Sequence, residues 1–194
     1  MTSPLIILDR DGVINKDSDD YIKSVDEWHP IQGSIEAIAD LSKAGYCVVV
    51  ATNQSGLARG LFDEFTLAQI HELLHQLVED KGGKIHGIFY CPHGPNDGCN
   101  CRKPATGLLE QIEKELERPI KNSFFIGDTT KDIGAARSAH CQPVLVLSGK
   151  GKNTFASLDS DSRNSIPVYN DLYEAARAIL DNSIAHKIKG ASIS

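Results

Sequence analysis

Leu5-Ile6-Ile7-Leu8-Asp9-Arg10-Asp11-Gly12 is the stretch that decides how this chain folds. Its four consecutive apolar residues predict a strand buried on both faces, as in a parallel sheet covered by helices. The strand delivers two aspartates, one residue apart, into a turn that contains glycine. Two carboxylates this close repel each other unless a cation lies between them, and Mg²⁺ prefers oxygen ligands. The stretch therefore predicts a magnesium site or a carboxylate nucleophile, with a polar turn as the alternative.

Strands and helices alternate along the rest of the chain. Further apolar, often β-branched runs predict strands at Cys47–Ala51, Gly87–Tyr90, Ser123–Ile126, Val144–Leu147 and, more weakly, Ile166–Tyr169. Helical spacing predicts a helix that Ser34 caps and Gly45 ends, and others over about 66–81, 106–117, 132–139 and 171–180. This alternation predicts a doubly wound α/β fold with a mainly parallel sheet, whose ligands bind beyond the carboxyl ends of the strands.

The length and composition predict one globular domain. A chain of 194 residues can build one sizeable core but is short for two full domains, so we expect a single domain over 1–183 and a flexible tail over 184–194. A net charge of −6 without a basic stripe argues against nucleic acid as a partner. The sequence shows no secretory signal and no membrane-spanning apolar stretch, which favours a cytoplasmic protein without membrane contact. No additional apolar face is evident, which favours a monomer.

Polar residues follow the predicted strands where they end. The second strand ends in Thr52-Asn53-Gln54-Ser55-Gly56, whose hydroxyl, amide and backbone N–H groups can bind phosphate oxygens. Lys103 comes after the third strand, and Gly127-Asp128, followed by Asp132, comes after the fourth. Because parallel strands end at one edge of a sheet, we expect these groups to meet there.

A second cluster of reactive residues precedes Lys103. Cys91, His93, Cys99 and Cys101 fall within eleven positions and supply the ligand types of a tetrahedral structural zinc site. A disulfide with a spare thiol, or three unlinked cysteines, are the alternatives, and the disulfide suits a cytosolic chain poorly. With all four positions filled, zinc would order the loop over 91–101 and take no part in chemistry.

Taken together, these motifs resemble the haloacid dehalogenase-like phosphatase superfamily over residues 5–132. The matching residues, in chain order, are Asp9, Asp11, Gly12, Thr52, Lys103, Gly127, Asp128 and Asp132. The resemblance implies a Rossmann-like core and a Mg²⁺-dependent phosphatase that passes through an aspartyl-phosphate. It assigns the Mg²⁺ to Asp9, the backbone carbonyl of Asp11 and Asp128, with Asp132 in a supporting position.

The resemblance also assigns roles in the reaction. Asp9 would be the nucleophile, and Asp11 would protonate the leaving oxygen and then activate water. Thr52 and Lys103 would hold the phosphoryl oxygens. Acid catalysis then requires that the pKa of Asp11 be raised relative to that of Asp9.

Four motifs together narrow the resemblance to one subfamily, the bacterial heptose bisphosphate 7-phosphatases and the related histidinol-phosphatase domains. They are Asp9-Arg10-Asp11-Gly12, Thr52-Asn53-Gln54-Ser55-Gly56, the cysteine and histidine loop, and Cys101-Arg102-Lys103-Pro104. The resemblance implies a fold without a large cap domain and a small sugar bisphosphate as substrate, namely D-glycero-D-manno-heptose 1,7-bisphosphate in lipopolysaccharide synthesis. Histidinol phosphate or another small sugar phosphate is the alternative substrate. A noncatalytic module held by zinc is a remote alternative.

Several residues are candidates for contact with such a substrate. Asn53, Gln54 and Ser55 would bind it directly, and Arg59 and Arg102 would bind the second phosphate, with surface carboxylates as their alternative partners. Thr129 stands where close relatives are expected to carry lysine, which leaves the substrate and its anomer open.

Other residues have two interpretations. Lys131 belongs either to the site or to a solvated helix end, and Lys150 and Lys152 belong either to the entrance or to a mobile basic loop. The aromatic residues Tyr21 and Trp28 either pack the loop over 13–30 or line the pocket. The histidines without metal-ligand spacing are read as structural or surface residues: His71, His75, His86 and His140.

Overall fold

A six-stranded parallel sheet forms the centre of the protein, in a computed structural model that describes residues 4–184. Its strands are β1 (Leu5–Leu8), β2 (Cys47–Asn53), β3 (Gly87–Cys91), β4 (Phe124–Gly127), β5 (Gln142–Val146) and β6 (Val168–Tyr169). They lie in the order β3-β2-β1-β4-β5-β6, and every pairing is parallel. All six predicted strands are therefore present, and the predicted doubly wound α/β fold is confirmed.

Helices cover both faces of the sheet. They are α1 (Ser34–Lys43), α2 (Glu64–Asp80), α3 (Gly107–Leu116), α4 (Thr130–Ser138), α5 (Gly151–Ser157), α6 (Ser160–Ser165) and α7 (Leu172–Leu180), with a short 3₁₀ helix at Val25–Glu27. Side chains of β1 alternate between the faces, so that Ile6 and Leu8 pack in the cluster with α1, α2 and α7, whereas Ile7 packs in the cluster with α3 and α4. Both faces are thus buried, as the continuous apolar run of β1 predicts.

The helix boundaries differ from the predicted ones in instructive ways. The predicted cap Ser34 lies inside α1, where its hydroxyl donates to the Ile14 carbonyl, and Gly33, with φ of +82°, precedes the helix. The helix α2 starts two residues earlier than predicted, because the Asp63 side chain accepts a hydrogen bond from the Thr66 amide. The short helices α5 and α6 were not predicted.

The sheet changes winding direction at β1. The chain moves from β1 outward through β2 to β3, then returns to the other side of β1 and moves outward again from β4. Ligands of such sheets bind at this switch point. Within residues 4–184, no segment forms a separate cap domain over this edge, which agrees with the prediction.

The burial of Trp28 and of Ile184 bears on the predictions for the loop over 13–30 and for the tail. Trp28 is only 2% exposed and packs in the core, as one of its two interpretations predicts. Ile184, the first residue of the predicted tail, is 2% exposed and belongs to the same core, and residues 185–194 lie outside the described part. None of the described helices combines the length and apolar character that crossing a membrane requires.

Candidate active site

Three carboxylates meet at the carboxyl edge of the sheet. Asp9 follows β1 and Asp128 follows the neighbouring β4, while Asp132 lies in the first turn of α4. One carboxylate oxygen from each residue lies within 4.8 Å of the others, and Asp128 and Asp132 are buried while Asp9 is 8% exposed. The structure thus brings together the acidic residues that the sequence places at separate strand ends.

A buried lysine lies among these carboxylates. Lys103 Nζ is 2.8 Å from Asp9 Oδ1 and 2.6 Å from Asp132 Oδ1, and it donates to the Ala51 carbonyl at 2.8 Å. The Asn53 side chain fixes the Lys103 backbone with two hydrogen bonds, accepting from its N–H and donating to its carbonyl. Asn53, predicted to contact substrate, therefore has a clear role in orienting Lys103.

One lysine does not neutralise three carboxylates. Burial and the charge of Asp132 raise the pKa of Asp9 well above its ordinary value, although Lys103 acts in the opposite direction. Burial likewise raises the pKa of Asp128 to about 7, against a hydrogen bond that its Oδ2 accepts from the Lys150 amide. A cation placed among these groups would favour their charged forms.

The donor atoms fit such a cation. Among the described residues, Asp128 Oδ1 is buried and has no hydrogen-bond partner, which is costly unless something else satisfies it. Two glycines also leave room beside Asp128: a Cβ added to Gly12 or to Gly149 would lie 2.3 Å from Asp128 Oδ2. Oxygen donors, burial and close backbone approach suit Mg²⁺.

The carboxylate of Asp11 lies in a separate polar cradle. The buried guanidinium of Arg10 donates to both of its oxygens, with Arg10 Nη2 at 2.9 and 3.0 Å and Nε at 3.1 Å from Oδ1. Asn15 donates to Asp11 Oδ1 at 2.9 Å, and Gln54 donates to Asp11 Oδ2 at 2.8 Å. Four nitrogen atoms on three side chains therefore hold one carboxylate.

The cradle reverses an expectation about acidity. Burial alone would raise the pKa of Asp11, but the charge of Arg10 and the hydrogen bonds from Asn15 and Gln54 outweigh burial and lower it. The pKa order of Asp9 and Asp11 is thus opposite to the one that acid catalysis by Asp11 requires. The physical reason is that Asp11 has a cation of its own, whereas Asp9 shares one with other carboxylates.

Gln54 connects Asp11 to the predicted phosphate site. Its amide nitrogen donates to Thr52 Oγ1 at 2.9 Å as well as to Asp11, and its oxygen accepts from Arg10 Nη2 at 3.1 Å. Because the Thr52 oxygen accepts this bond, its own O–H can donate to a ligand. Substrate contact by Gln54 stays a prediction; the structure shows its side chain bonded to protein groups.

A cavity of about 280 Å³ opens above these side chains. Ser55, Arg102, Lys131 and Tyr21 line it together with the carboxylates. Lys150, Asp17 and Asp19 line it as well, and Lys150 Nζ lies 3.1 Å from Asp17 Oδ2 and 3.4 Å from Asp19 Oδ1. The exposed Arg59 is not among the lining residues, and its guanidinium lies 5.8 Å from the centre of the Tyr21 ring. Lys152 is exposed on α5.

The cysteine and histidine loop forms a compact cluster of ligand atoms. Cys91 Sγ lies 3.7 Å from Cys99 Sγ and 3.1 Å from Cys101 Sγ, and His93 Nδ1 lies 3.7 Å from Cys91 Sγ and 3.2 Å from Cys101 Sγ. Ligands around a tetrahedral zinc with bonds of about 2.3 Å are roughly 3.8 Å apart, so the cluster has the size of such a site. The cysteines are all free thiols, and the alternative of a disulfide is not formed.

This loop also reaches the cavity. Arg102 follows the last cysteine of the cluster and donates from Nη1 to the His93 carbonyl at 3.1 Å. Because Arg102 lines the cavity, a well-ordered loop over 91–101 fixes the position of the Arg102 guanidinium in the cavity.

Sequence reasoning missed several residues of the site. Arg10 lies between the two aspartates, and its sequence position does not show that it is buried. In the structure it is only 1% exposed, and an arginine that buried must have an anionic partner. Asn15 and the Lys150 amide were missed as well, because only the three-dimensional structure brings them next to Asp11 and Asp128.

Comparison with known proteins gives concordant results. A family model described as HAD-hydrolase-like matches residues 100–175. The D-glycero-beta-D-manno-heptose-1,7-bisphosphate 7-phosphatase of Pseudomonas aeruginosa is 52% identical, over 93% of this chain and 99% of that protein. Its namesake from Neisseria meningitidis is 44% identical, over 93% of this chain and 97% of that protein.

Solved structures agree with the sequence relatives. The D,D-heptose 1,7-bisphosphate phosphatase of B. bronchiseptica, crystallised with magnesium and phosphate, is 46% identical and superposes with a TM-score of 0.87, covering 92% of this chain and 99% of that one. The same enzyme from Burkholderia thailandensis is 37% identical with a TM-score of 0.70, covering 92% of this chain and 99% of that one. Identity at this level over nearly whole chains, on one shared fold, places the present chain in the D-glycero-beta-D-manno-heptose-1,7-bisphosphate 7-phosphatase family of haloacid dehalogenase-like hydrolases.

Proposed function

We propose that this protein is a Mg²⁺-dependent phosphatase that removes the 7-phosphate of D-glycero-β-D-manno-heptose 1,7-bisphosphate, a precursor for lipopolysaccharide. The observation that carries the proposal is the buried pair of Asp9 and Lys103, 2.8 Å apart, at the switch point of the sheet. The pair presents a carboxylate oxygen and a cation together, as attack on a phosphoryl group requires. The names of the relatives at 44–52% identity support this substrate.

In the first step, an oxygen of Asp9 attacks phosphorus and the bond between phosphorus and the C7 oxygen breaks. The electron pair of that bond stays on the C7 oxygen, which takes a proton from Asp11. Lys103 and the Thr52 hydroxyl stabilise the charge that gathers on the phosphoryl oxygens. The products of this step are the alcohol and an aspartyl-phosphate on Asp9.

In the second step, water attacks the phosphorus of the aspartyl-phosphate and gives a proton to Asp11. The acyl–phosphate bond breaks, its electron pair returns to Asp9, and inorganic phosphate leaves. Asp11 is then protonated for the next cycle. The negative charge of a bound phosphate raises the pKa of Asp11 against the effect of Arg10, which allows the carboxyl group to hold this proton.

We assign Mg²⁺ to Asp9, Asp128 and the backbone carbonyl of Asp11. When bound, the ion neutralises the carboxylate cluster and polarises the phosphoryl oxygens. Asp132 supports the site from its bonds to Lys103 and Thr129, with Thr129 donating to Asp132 Oδ2 from both its N–H and its hydroxyl. Thr129, which stands where a lysine was expected, is therefore the N-cap residue of α4 in this chain.

We further propose that Cys91, His93, Cys99 and Cys101 hold a structural Zn²⁺ that orders the loop bearing Arg102. Metal analysis of the purified protein should give about one zinc per chain. Cys99→Ser should lose most of the zinc, whereas Cys47→Ser, which changes a buried thiol of β2 outside the cluster, should keep it. Equal zinc in both variants would contradict the assignment.

None of the five cysteines forms a disulfide, which supports a reducing compartment, and we propose the cytoplasm as the location. We also propose that the protein acts as a monomer in a single domain over 1–183. Light scattering coupled to size exclusion tests the monomer directly, because a dimer would double the measured mass.

The experiment that tests the function is phosphate release with Mg²⁺ across a matched panel of substrates. The panel contains both anomers of the heptose 1,7-bisphosphate, histidinol phosphate and fructose 1,6-bisphosphate. We expect the β anomer to lead in kcat/KM by about 100-fold, roughly 2.7 kcal/mol of transition-state discrimination. Asp9→Asn should release no phosphate from any of them. A lead for histidinol phosphate would replace the proposed substrate and leave the catalytic roles unchanged.

A further inference from the structure

A histidine of α2 contacts the residue that holds Asp11. His71 is partly buried, its Nε2 lies 3.3 Å from Arg10 Nη1, and its ring packs against Tyr90 with the ring centres 5.9 Å apart. Neither the sequence motifs nor the mechanism above uses this side chain. It lies 61 positions from Arg10 in the sequence, so only the fold brings the two together.

The chemistry of the contact fixes the state of the imidazole. A guanidinium has donors and no acceptor, so His71 Nε2 must accept and the ring proton must lie on Nδ1. Burial and the charge of Arg10 lower the pKa of His71 to about 3, against the opposite effect of Asp11, and His75 adds to the lowering. His71 is therefore neutral and an acceptor throughout the neutral range.

The contact completes the orientation of Arg10. Its Nε and Nη2 donate to Asp11, and Nη2 also donates to Gln54, while Nη1 points to His71. A planar guanidinium held at both ends has one orientation, and that orientation sets both oxygens of Asp11.

We propose that His71 is a positioning residue that, by accepting a hydrogen bond from Arg10 Nη1, holds Arg10 in the orientation that places Asp11 for proton transfer. This inference rests on the proposed phosphatase function. It places in α2, outside the strand ends, a group on which both proton transfers depend.

The two steps of the reaction separate this role from a merely structural one. Asp11 protonates the leaving group in the first step and deprotonates water in the second. With p-nitrophenyl phosphate the first step needs no proton, because nitrophenolate is a good leaving group. Misplacement of Asp11 should then slow only the second step, and phosphorylated Asp9 should accumulate.

The test compares wild type, His71→Phe and His71→Gln with Mg²⁺ present. Phenylalanine keeps a ring against Tyr90 but removes the acceptor, whereas glutamine can place an oxygen near the position of Nε2. His75→Phe, one turn further along α2, is the matched control.

For His71→Phe we expect kcat on the heptose bisphosphate to fall about 10-fold or more with KM nearly unchanged. With p-nitrophenyl phosphate, rapid mixing should show a larger burst of nitrophenolate than wild type, followed by a slower steady rate. His71→Gln should recover most of the lost rate, and His75→Phe should match wild type.

Three outcomes would overturn the inference. They are an unchanged kcat in His71→Phe, an equal slowing of burst and steady rate, and a failure of His71→Gln to recover activity while it remains folded. If His71→Phe does not fold, His71→Asn replaces it in the comparison with His71→Gln. The asparagine side chain is too short for its oxygen to reach Arg10. A wild-type protein that hydrolyses neither substrate would instead refute the proposed function, and the inference with it.

Discussion

Lys103 Nζ lies 2.8 Å from Asp9 Oδ1 and 2.6 Å from Asp132 Oδ1, and the Lys103 side chain is only 2% exposed. The lysine therefore opposes the protonation of Asp9, which burial and the charge of Asp132 both favour, without outweighing these two effects. In the proposed mechanism the same ammonium group also binds the transferred phosphoryl oxygens.

Replacing Lys103 by methionine keeps the length of the side chain and removes its charge. We expect kcat to fall by about 10²–10³-fold, since the phosphoryl oxygens lose a donor in a buried site and the pKa of Asp9 rises further. Initial rates at saturating substrate and Mg²⁺ measure this loss. Lys121→Met, at an exposed position before β4, is the control and should behave as wild type. Activity of Lys103→Met within about threefold of wild type would remove Lys103 from the mechanism.

The carboxylate cluster predicts how stability depends on pH in protein dialysed free of Mg²⁺. Asp128 has a pKa of about 7 in the folded protein against an ordinary value of 3.8, and the pKa of Asp9 is raised as well. Between these values the folded state binds more protons than the unfolded one, so the free energy of unfolding falls as pH rises from about 4 to 7. The slope from one such group is at most about 1.4 kcal/mol per pH unit.

Urea unfolding at several pH values measures this slope. Saturating Mg²⁺ should flatten it, because the ion favours the charged carboxylates in the folded state. Asp128→Asn should flatten it without Mg²⁺, because one shifted group is gone. Stability of the Mg²⁺-free wild type that rises over this interval would contradict the pKa shifts.

The sheet was predictable because its strands have an unambiguous pattern. A run such as Val48-Val49-Val50 is too short and too β-branched for a buried helix, and all three residues are fully buried. The helices α5 and α6 lack such a pattern, since Gly151–Ser157 has apolar side chains only at Phe155 and Ala156 and Ser160–Ser165 has none. Their positions depend on contacts with distant parts of the chain, such as the bond from Arg137 to Ser162.

The candidate site also has one part that could be predicted from the sequence and one part that could not. The positions of Asp9 and Asp128 follow from the rule that parallel strands end at one edge, so their meeting was predictable. The direction of Asp11 was not, because it depends on Gln54 and Asn15, which the turn and the neighbouring strand bring into range. The identity of the catalytic residues can thus be predicted from their positions in the sequence. Which of Asp9 and Asp11 has the higher pKa cannot, because it depends on neighbours that only the fold brings together.

Gly12 and Gly45 separate backbone strain from damage to the cation site. Both have positive φ, +84° and +90°, but a Cβ at Gly12 would lie 2.3 Å from Asp128 Oδ2, whereas nothing lies within 4 Å of one at Gly45. Each change to alanine should cost about 1 kcal/mol of stability for the backbone conformation alone. Only Gly12→Ala should weaken Mg²⁺ binding, by about 10-fold or more, as titration calorimetry can measure. Equal Mg²⁺ affinity in the two variants would place the ion away from Asp128.

Arg102 and Arg59 differ in where the structure places them. Arg102 lines the cavity and is tied to the His93 carbonyl, whereas Arg59 is exposed beside Tyr21. Arg102 is therefore the better candidate for the phosphate on C1 of the substrate, the one that does not react. Arg102→Ala should raise KM for the heptose 1,7-bisphosphate by about 10-fold or more, the value of a charge-assisted hydrogen bond.

The monophosphate of the same sugar, which carries only the 7-phosphate, is the matched substrate for this comparison. Its KM should change little in Arg102→Ala, because the group that Arg102 binds is missing. Arg59→Ala should leave both KM values near those of wild type. If Arg102→Ala instead raised both KM values equally, Arg102 would contact the reacting phosphate or the sugar. If Arg59→Ala instead raised KM for the bisphosphate more than Arg102→Ala does, the loop that bears Arg59 would have to close onto the substrate.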